Sequence, residues 1–537
     1  MKEQSTSRGF AILSAGTVLV KIMSLLYVPI MRAILGDEGY GISGAAFQVY
    51  VFIYVITNSG VPVAISKLVS ELNATGNYRD AVKSFKLSRF MLMILGTVMS
   101  LLLIIMAAPL SSAIHYDKAY LSVMALAPAI LFTSVASAYR GYFQGSKNMI
   151  PTAVSQVSEQ VANTVFSLVF AAYLMRYGVE IGCAGSSIGT SLGALISASF
   201  LVFYYEKNRK QAALSAGSKN ADGVKRMSNG QLAMKIIQYS LPITICVGMT
   251  YAGNLVDLYN TKARLMVGGF NDTQATILYG YLFKYQQLLN VPIAIISSLA
   301  AAILPALSAA AAVRDKVQLR GKINYSLRVC FLVALPCAVG LGVLSGPVYD
   351  MLKFGKGSFI MAYGSAVLIL MAVMQIQSTI LQGIGKLYLA TVFSVTGIVV
   401  KIAINYFAIS VPGINILGAV IGSFIGFAVP ILLNQRVINR TLKGRIRLTS
   451  IAAKPASASI FMGAMVFLTY SLLNLLSSAA GGNYLFDSLA VVISVIAGAY
   501  YYLFGLIMTK GINSRDIDIL PAKLKKFIPK YFLGRIT

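Results

Sequence analysis

The sequence predicts an all-α membrane protein that crosses the bilayer many times. Of its 537 residues, 57% are hydrophobic and only 12% are charged, whereas soluble domains carry about 25% charged residues. Apolar runs of about 20 residues, each long enough to cross the hydrocarbon layer, follow one another along the chain. Fourteen such runs are present, which predicts 14 transmembrane helices.

The basic residues predict how these helices are oriented. Most of the 45 Lys and Arg residues fall in alternate segments between the apolar runs, beginning with the N-terminal segment. Because cytoplasmic loops are enriched in Lys and Arg, this pattern places both termini in the cytoplasm. The net charge of +28 therefore reflects membrane topology, and it does not indicate nucleic-acid binding.

A polar linker divides the predicted helices into two lobes. It is rich in Lys, Ser, Gly and Asn and follows the sixth apolar run. The expected order is an N-terminal lobe of six helices (1–205), the cytoplasmic linker (206–232), a C-terminal lobe of six helices (233–440), two further helices (441–510) and a tail (511–537). In the tail, apolar residues share one helical face and basic residues lie elsewhere, which is typical of an amphipathic helix on an anionic leaflet.

A short internal repeat supports two related lobes. The sequence VPVAI at 61–65 matches VPIAI at 291–295. An even number of predicted helices separates the copies, which is typical of transporters built from two parallel halves; a chance match of short apolar motifs is the alternative. Pro62, Pro292 and Pro305 each remove a backbone donor from a helix and are expected to act as hinges.

Polar residues inside the apolar runs are the candidate functional residues. A charged side chain near the bilayer centre costs about 2.5–3.5 kcal/mol, so it should face protein or water. The lysines lack matching acids at their depth, which favours an anionic substrate held in a basic, water-accessible cavity between the lobes. The residues expected to line this path are Lys21, Lys284, Lys401, Glu159, Asp257, Asn58, Asn290 and Tyr281.

The charged candidates also have structural interpretations. A lysine paired with Glu159 or Asp257 would form an internal ion pair. Glu159 suits either a structural brace or a coupling proton. Asp257 lies near the end of its run, where Lys262 or Arg264 is a possible partner. Two further arginines, Arg140 and Arg32, are expected at a gate or at the membrane interface.

Several kinds of chemistry are not indicated by the sequence. The segment 355–357 (GKG) lacks the spacing and the hydroxyl residue of a phosphate-binding Walker loop. The single histidine, His115, falls in a short predicted outside loop, and no cluster of acidic residues suggests a metal or a glycosyl-transfer site. We therefore expect a transporter that is not an enzyme and that binds no cofactor, metal or nucleic acid.

Several motifs together resemble those of the multidrug/oligosaccharidyl-lipid/polysaccharide (MOP) flippase superfamily. They are Tyr40-Gly41 after the first run, VPVAISK at 61–67, RGYFQG at 140–145, NMIPTA at 148–153 and LPALS at 304–308. Within the superfamily, the chain is similar to the polysaccharide transporters of the stage V sporulation protein B type and to the lipid II flippases.

The resemblance implies alternating access of two lobes and the transfer of an undecaprenyl-pyrophosphate saccharide between leaflets. It also implies that Lys21 and Lys284 stand where related flippases carry basic residues in the first and eighth helices. The second predicted helix departs from the family pattern, because it carries Gln48, Tyr50 and Tyr54 where those flippases use an arginine. This departure puts lipid II itself in doubt and leaves another lipid-linked glycan open.

The sequence therefore predicts a flippase or exporter for a lipid-linked cell-wall or polysaccharide precursor in the bacterial cytoplasmic membrane. Its expected partners are the anionic lipid-linked saccharide, membrane lipids and a coupling ion, and a monomer is expected. One alternative is a drug/cation antiporter of the same superfamily, which requires deep acidic residues. Another is a membrane-embedded glycan polymerase or ligase, which requires a large outside loop with catalytic residues.

Overall fold

The computed structural model describes residues 6–217, 226–312, 315–479 and 483–509. These ranges contain α-helices and two short 3-10 turns, and no strand occurs in them. The all-α class is therefore confirmed. The predicted amphipathic helix of the tail at 511–537 lies outside the described residues.

The described residues form sixteen α-helices. In chain order they are α1 (Thr6–Asn58), α2 (Gly60–Ala74), α3 (Tyr78–Ala113), α4 (Tyr120–Gly145), α5 (Ile150–Leu174), α6 (Val179–Gly217), α7 (Asn229–Val267), α8 (Asp272–Ala312), α9 (Lys316–Val343), α10 (Ser345–Met351), α11 (Ser358–Gly364), α12 (Val367–Gly383), α13 (Leu387–Ala408), α14 (Leu417–Leu442), α15 (Leu448–Ala479) and α16 (Tyr484–Met508).

Many of these helices are long and apolar enough to span a membrane. Within the described ranges there are 10 such spans, or 11 if α11 and α12, which are bent by 55° at their junction, are counted as one span. The chain is thus a multi-pass membrane protein. The count of fourteen and the orientation of the termini stay predictions.

Helix α1 joins the first two predicted spans into one 53-residue element with a kink at Gly36. Gly36 has φ 71° and ψ 179°, a backbone conformation that side chains with a Cβ rarely adopt. The backbone therefore leaves helical geometry at Gly36, and α1 consists of two helical stretches joined at this kink. The kink positions the two residues that follow it, Asp37 and Glu38.

The helices fall into two compact units, which are described separately. The first contains Met1–Lys284 and Asn405–Asn415, and the second contains Tyr285–Ile404 and Ile416–Thr537. The lobe boundaries expected from the sequence stay predictions.

Within the first unit, α5 and α6 pack with their backbones in close contact. A Cβ on Gly189 would lie 2.2 Å from the Ser167 amide nitrogen, so only glycine fits at this crossing. Such close approach through small residues is typical of helix pairs in membranes. It brings the polar side chains of α5 next to those of α6.

The start of α7 is fixed to the first turns of α3 in the same unit. The Met227 amide donates to Asp80 at 2.9 Å, and the Lys83 ammonium donates to the Met227 carbonyl at 3.0 Å. Ser228 and Gln231 then form a capping box that begins the helix. The residues that follow the undescribed part of the linker are therefore held by specific hydrogen bonds.

The second unit has its own apolar core, formed largely by α9, α12 and α14. Buried side chains of this core include Leu327, Ile376, Ile380, Ile431 and Ile438. A smaller cluster contains Leu344, Met462 and Val466 and joins α15 to the region where α9 ends.

Candidate functional site

Two basic side chains meet a single carboxylate where α1 bends. Arg32 donates from Nε to Asp37 Oδ1 at 2.7 Å and from Nη2 to Oδ2 at 3.2 Å. The Lys284 ammonium lies 3.1 Å from the same Oδ1 atom. The Tyr281 phenol lies beside the Asp37 carboxylate. We call Arg32, Asp37, Tyr281 and Lys284 the Asp37 cluster.

Local sequence explains why these side chains converge. The Gly36 kink turns Asp37 back toward Arg32, five positions earlier on α1. A Cβ on Gly280 would lie 3.0 Å from the Asp37 carbonyl oxygen, so α8 lies directly against the kinked segment. Lys284 follows Gly280 by one helical turn and therefore projects from the same face.

The members of the Asp37 cluster differ in exposure. The Lys284 side chain is 1% exposed, whereas those of Asp37 and Arg32 are 18% and 27% exposed. The Lys284 ammonium also lies 4.4 Å from the centre of the Tyr281 ring, a distance typical of a cation–π contact. The lysine is thus held within protein, and the arginine side of the cluster is the more accessible one.

This geometry corrects one expectation from the sequence, namely that the lysines lack matching acids. Asp37 is the partner of Lys284, although 247 positions separate them in the chain. Asp37 lies between the first two apolar runs, so hydropathy alone does not indicate it as an intramembrane group. The one local feature that could have drawn attention to Asp37 is its position directly after Gly36, the residue at the kink.

Further ion pairs lie close to the Asp37 cluster. Lys118 bonds to Glu38 at 2.8 Å. Lys262, whose side chain is 2% exposed, bonds to Asp272 at 2.8 Å and donates to the His115 carbonyl at 2.5 Å. These contacts tie the α1 kink to the turn before α4 and join that turn to α7 and the start of α8.

The ring of Tyr116 completes the surroundings of Lys262. The Lys262 ammonium lies 4.1 Å from the ring centre. Burial raises the pKa of the Tyr116 phenol well above its usual value, so the ring is neutral. Its contact with Lys262 is therefore a cation–π contact and not an ion pair.

A second polar cluster lies within the bundle of α4, α5 and α6. The Arg140 guanidinium bonds to Glu159 at 2.5 Å, to Ser197 Oγ at 2.7 Å and to Ser155 Oγ at 3.0 Å. Its side chain is 13% exposed and that of Glu159 is 28% exposed. Glu159 therefore has an arginine as its ion-pair partner, where the sequence analysis had considered a lysine.

Lys21 lies on α1 at the depth of this second cluster. A Cβ on Gly16 would lie 3.3 Å from the Ala153 Cβ, and Tyr27 lies close to Ser167, so α1 and α5 run side by side in the same direction. Lys21 falls between these two contacts and is half-buried. It is separated from the Asp37 cluster by about three helical turns.

The remaining candidates are not members of either cluster. Asp257 is buried on α7 and accepts a hydrogen bond from Asn405 at the end of α13. Asn58 is buried at the end of α1, and in the described part of the chain its two amide atoms have no hydrogen-bond partner. Asn290 and Lys401 are half-buried in the second unit.

The three prolines expected as hinges lie in helices without ending them. Pro62 is in the first turn of α2 and packs against Gly141 of α4. Pro292 and Pro305 lie within α8, and the side chain of Pro305 is outside the described atoms. Their role as hinges stays a prediction.

No metal site is indicated in the described part of the chain. Those residues contain no group of three or more His, Cys, Asp or Glu side chains arranged to hold an ion. Cys183 and Cys330 are buried thiols. The polar chemistry of the first unit is therefore that of paired lysine, arginine and carboxylate groups.

Comparison with known proteins identifies the family. A family model described as "Polysaccharide biosynthesis protein" matches residues 6–311. The lipid II flippase MurJ of Bacillus subtilis (strain 168) is 24% identical over 524 residues, which cover 93% of this chain and 94% of the relative. Stage V sporulation protein B of the same organism is 26% identical over 462 residues, which cover 84% of this chain and 87% of the relative.

A solved structure shows the same fold. The structure titled "Lipid II flippase MurJ, inward closed conformation" aligns with a TM-score of 0.65 at 13% identity and covers 93% of this chain and 98% of its own. The family model spans more than half of the sequence. The chain therefore belongs to the polysaccharide biosynthesis protein family.

Proposed function

We propose that this protein is a flippase that moves a lipid-linked saccharide with a phosphate-containing head group from the inner to the outer leaflet of the bacterial cytoplasmic membrane. It works by alternating access of the two predicted lobes, with both termini in the cytoplasm. The name of one relative, a lipid II flippase, supports this substrate class. The identity of the saccharide is open.

The Asp37 cluster is the observation that carries the proposal. Arg32 offers a planar fork of donors and Lys284 a point charge, and both bond to carboxylate oxygens. The Tyr281 hydroxyl group lies beside them. Phosphate oxygens accept the same charge-assisted hydrogen bonds. The donor set thus suits a phosphate or pyrophosphate group, and Lys21 supplies a second basic contact deeper along α1.

Membrane potential supplies a driving force for this direction of transport. Moving one charge through 100 mV changes the free energy by about 2.3 kcal/mol. With the inside negative, outward movement of a head group with two negative charges is favoured by roughly 4 to 5 kcal/mol per 100 mV. The proposed transport therefore proceeds without ATP.

The ion pairs favour this function over drug/cation antiport. An antiporter of that kind requires a carboxylate that can take up a cation or a proton. Asp37 and Glu159 each already accept bonds from basic side chains, namely Arg32 and Lys284, and Arg140.

The test is complementation of a bacterium depleted of its own lipid II flippase, with growth and protein level measured together. The wild-type chain should restore growth if lipid II is its substrate, and Lys284→Met should fail at an equal protein level. The matched control is Lys316→Met, because Lys316 is exposed at the start of α9.

If the wild-type chain does not restore growth, the same comparison is made in a strain that lacks this protein, and the readout is its lipid-linked saccharides. Full function of Lys284→Met in either strain would refute the role assigned to this lysine.

A further inference from the structure

The Asp37 carboxylate occupies a position that a phosphate group would suit. It accepts two bonds from Arg32 and one from Lys284, and the Tyr281 phenol lies beside it. These donors come from two helices, α1 and α8, and Asp37 itself lies on α1. The carboxylate therefore joins the two helices through the same atoms that an anionic ligand would use.

We propose that Asp37 is a built-in competitor of the substrate phosphate, which holds Arg32 and Lys284 until a phosphorylated head group displaces it. This inference rests on the proposed function and adds a role for a residue outside the predicted substrate path. Displacement exchanges one anion for another, so Lys284 never has to enter lipid without a counter-charge. Binding of the head group and release of α8 from the α1 kink are thereby the same event.

Exposure gives the direction of the exchange. Arg32 and Asp37 are partly exposed, whereas Lys284 is enclosed. An incoming phosphate therefore meets the Arg32 side first, and Lys284 is reached only when Asp37 moves away. Gly36 directly precedes Asp37, and its freedom of φ permits that movement without changing the rest of α1.

The exchange predicts how affinity depends on Asp37. When a competing group occupies a site, the apparent dissociation constant rises in inverse proportion to the fraction of protein in which the site is free. Asp37→Asn keeps the shape of the side chain but removes its negative charge. We expect this variant to bind a phosphate ligand at least tenfold more tightly than the wild type does.

Binding is measured on the purified full-length chain in lipid nanodiscs, with inorganic pyrophosphate as one probe and undecaprenyl phosphate as the other. Asp37→Glu keeps the charge and should bind like the wild type. Glu38→Gln is the matched control, because Glu38 is the adjacent acid and pairs with Lys118 instead; its affinity should stay within twofold of wild type. Equal or weaker binding by Asp37→Asn would overturn the inference.

The two probes separate this inference from the proposed function. If Asp37→Asn binds undecaprenyl phosphate more tightly, the result supports both this inference and the proposed function, whether or not it also binds pyrophosphate more tightly. Tighter binding of pyrophosphate alone supports competition at an anion site but contradicts a lipid-linked substrate. The double variant Asp37→Asn/Lys284→Met should lose the gain in affinity that Asp37→Asn shows. If it keeps that gain, the anion binds elsewhere, which would overturn both the inference and the proposed function.

A stability readout covers the case in which Asp37→Asn does not purify as a monodisperse protein. Pyrophosphate or undecaprenyl phosphate added during extraction should then restore the monodisperse peak, because the ligand replaces the missing carboxylate. Failure of both ligands to restore it would overturn the inference.

Discussion

Replacing Asp37 should destabilise the protein more than replacing its partner Lys284. The two changes break the same contact, but they leave different groups behind. Asp37→Asn leaves a fully buried ammonium without this carboxylate, whereas Lys284→Met leaves a partly exposed carboxylate still bonded to Arg32. The structure therefore predicts an asymmetric pair of effects.

The magnitudes follow from the distance and the burial. At 3.1 Å, with an effective dielectric constant of about 20, the attraction between the two charges is about 5 kcal/mol. Burial of the ammonium costs several kcal/mol, which offsets most of this attraction. Removing Asp37 keeps the burial cost and should reduce the free energy of unfolding by about 3 kcal/mol. Removing Lys284 eliminates both terms and should reduce it by about 1 kcal/mol or less.

Thermal unfolding of the purified chain in detergent measures this asymmetry. The chain has no tryptophan, so a thiol-reactive dye that reports exposure of the buried Cys183 and Cys330 is the suitable probe. The expected order of apparent Tm is wild type, then Lys284→Met, then Asp37→Asn. The double variant should lose less than the sum of the two single losses, although it also lacks the ion pair with Arg32. A lower Tm for Lys284→Met than for Asp37→Asn, or additive losses in the double variant, would refute the reasoning.

Three other predictions concern the first unit. Arg140→Gln and Glu159→Gln should each lower the apparent Tm, and the double variant should lose less than the sum of the two, because they share one ion pair; additive losses would contradict that coupling. Gly189→Ala should reduce the free energy of unfolding by about 1–3 kcal/mol, since the new Cβ meets the Ser167 backbone, and an unchanged Tm would show that α5 and α6 can separate. Lys21→Ala should abolish transport while Lys21→Arg retains part of it, measured in cells at equal protein level; full activity of Lys21→Ala would remove this residue from the proposed path.

The sequence predicts the class of structure well, but it does not predict which side chain pairs with each charged residue. Apolar runs of bilayer length predict membrane helices because the backbone must satisfy its hydrogen bonds internally in lipid. The same logic identified Lys284 and Glu159 as residues that require protein or water around them. Hydropathy does not predict which helix supplies the partner, because that depends on packing between segments far apart in the chain.

Two residues illustrate the limit. Asp37 lies between the first two apolar runs, so hydropathy gives no reason to select it, yet the kink at Gly36 places it next to Lys284. Arg140 was interpreted as a gate or interface residue because it lies near the end of its run. The structure places it in the bundle of α4, α5 and α6, bonded to Glu159. The ion-pair partners of both residues depend on contacts between helices. The residue pattern within a single helix does not predict them.

The most direct test of the account is the rate at which a fluorescent lipid-linked pyrophosphate saccharide crosses the membrane of proteoliposomes that contain the purified chain. With a potential that favours movement of the anion, the wild type and Lys316→Met should transfer the lipid at similar rates, and Lys284→Met should fall to the rate of empty liposomes. Equal transfer by the wild type and Lys284→Met would contradict the claim that this lysine carries the phosphate across.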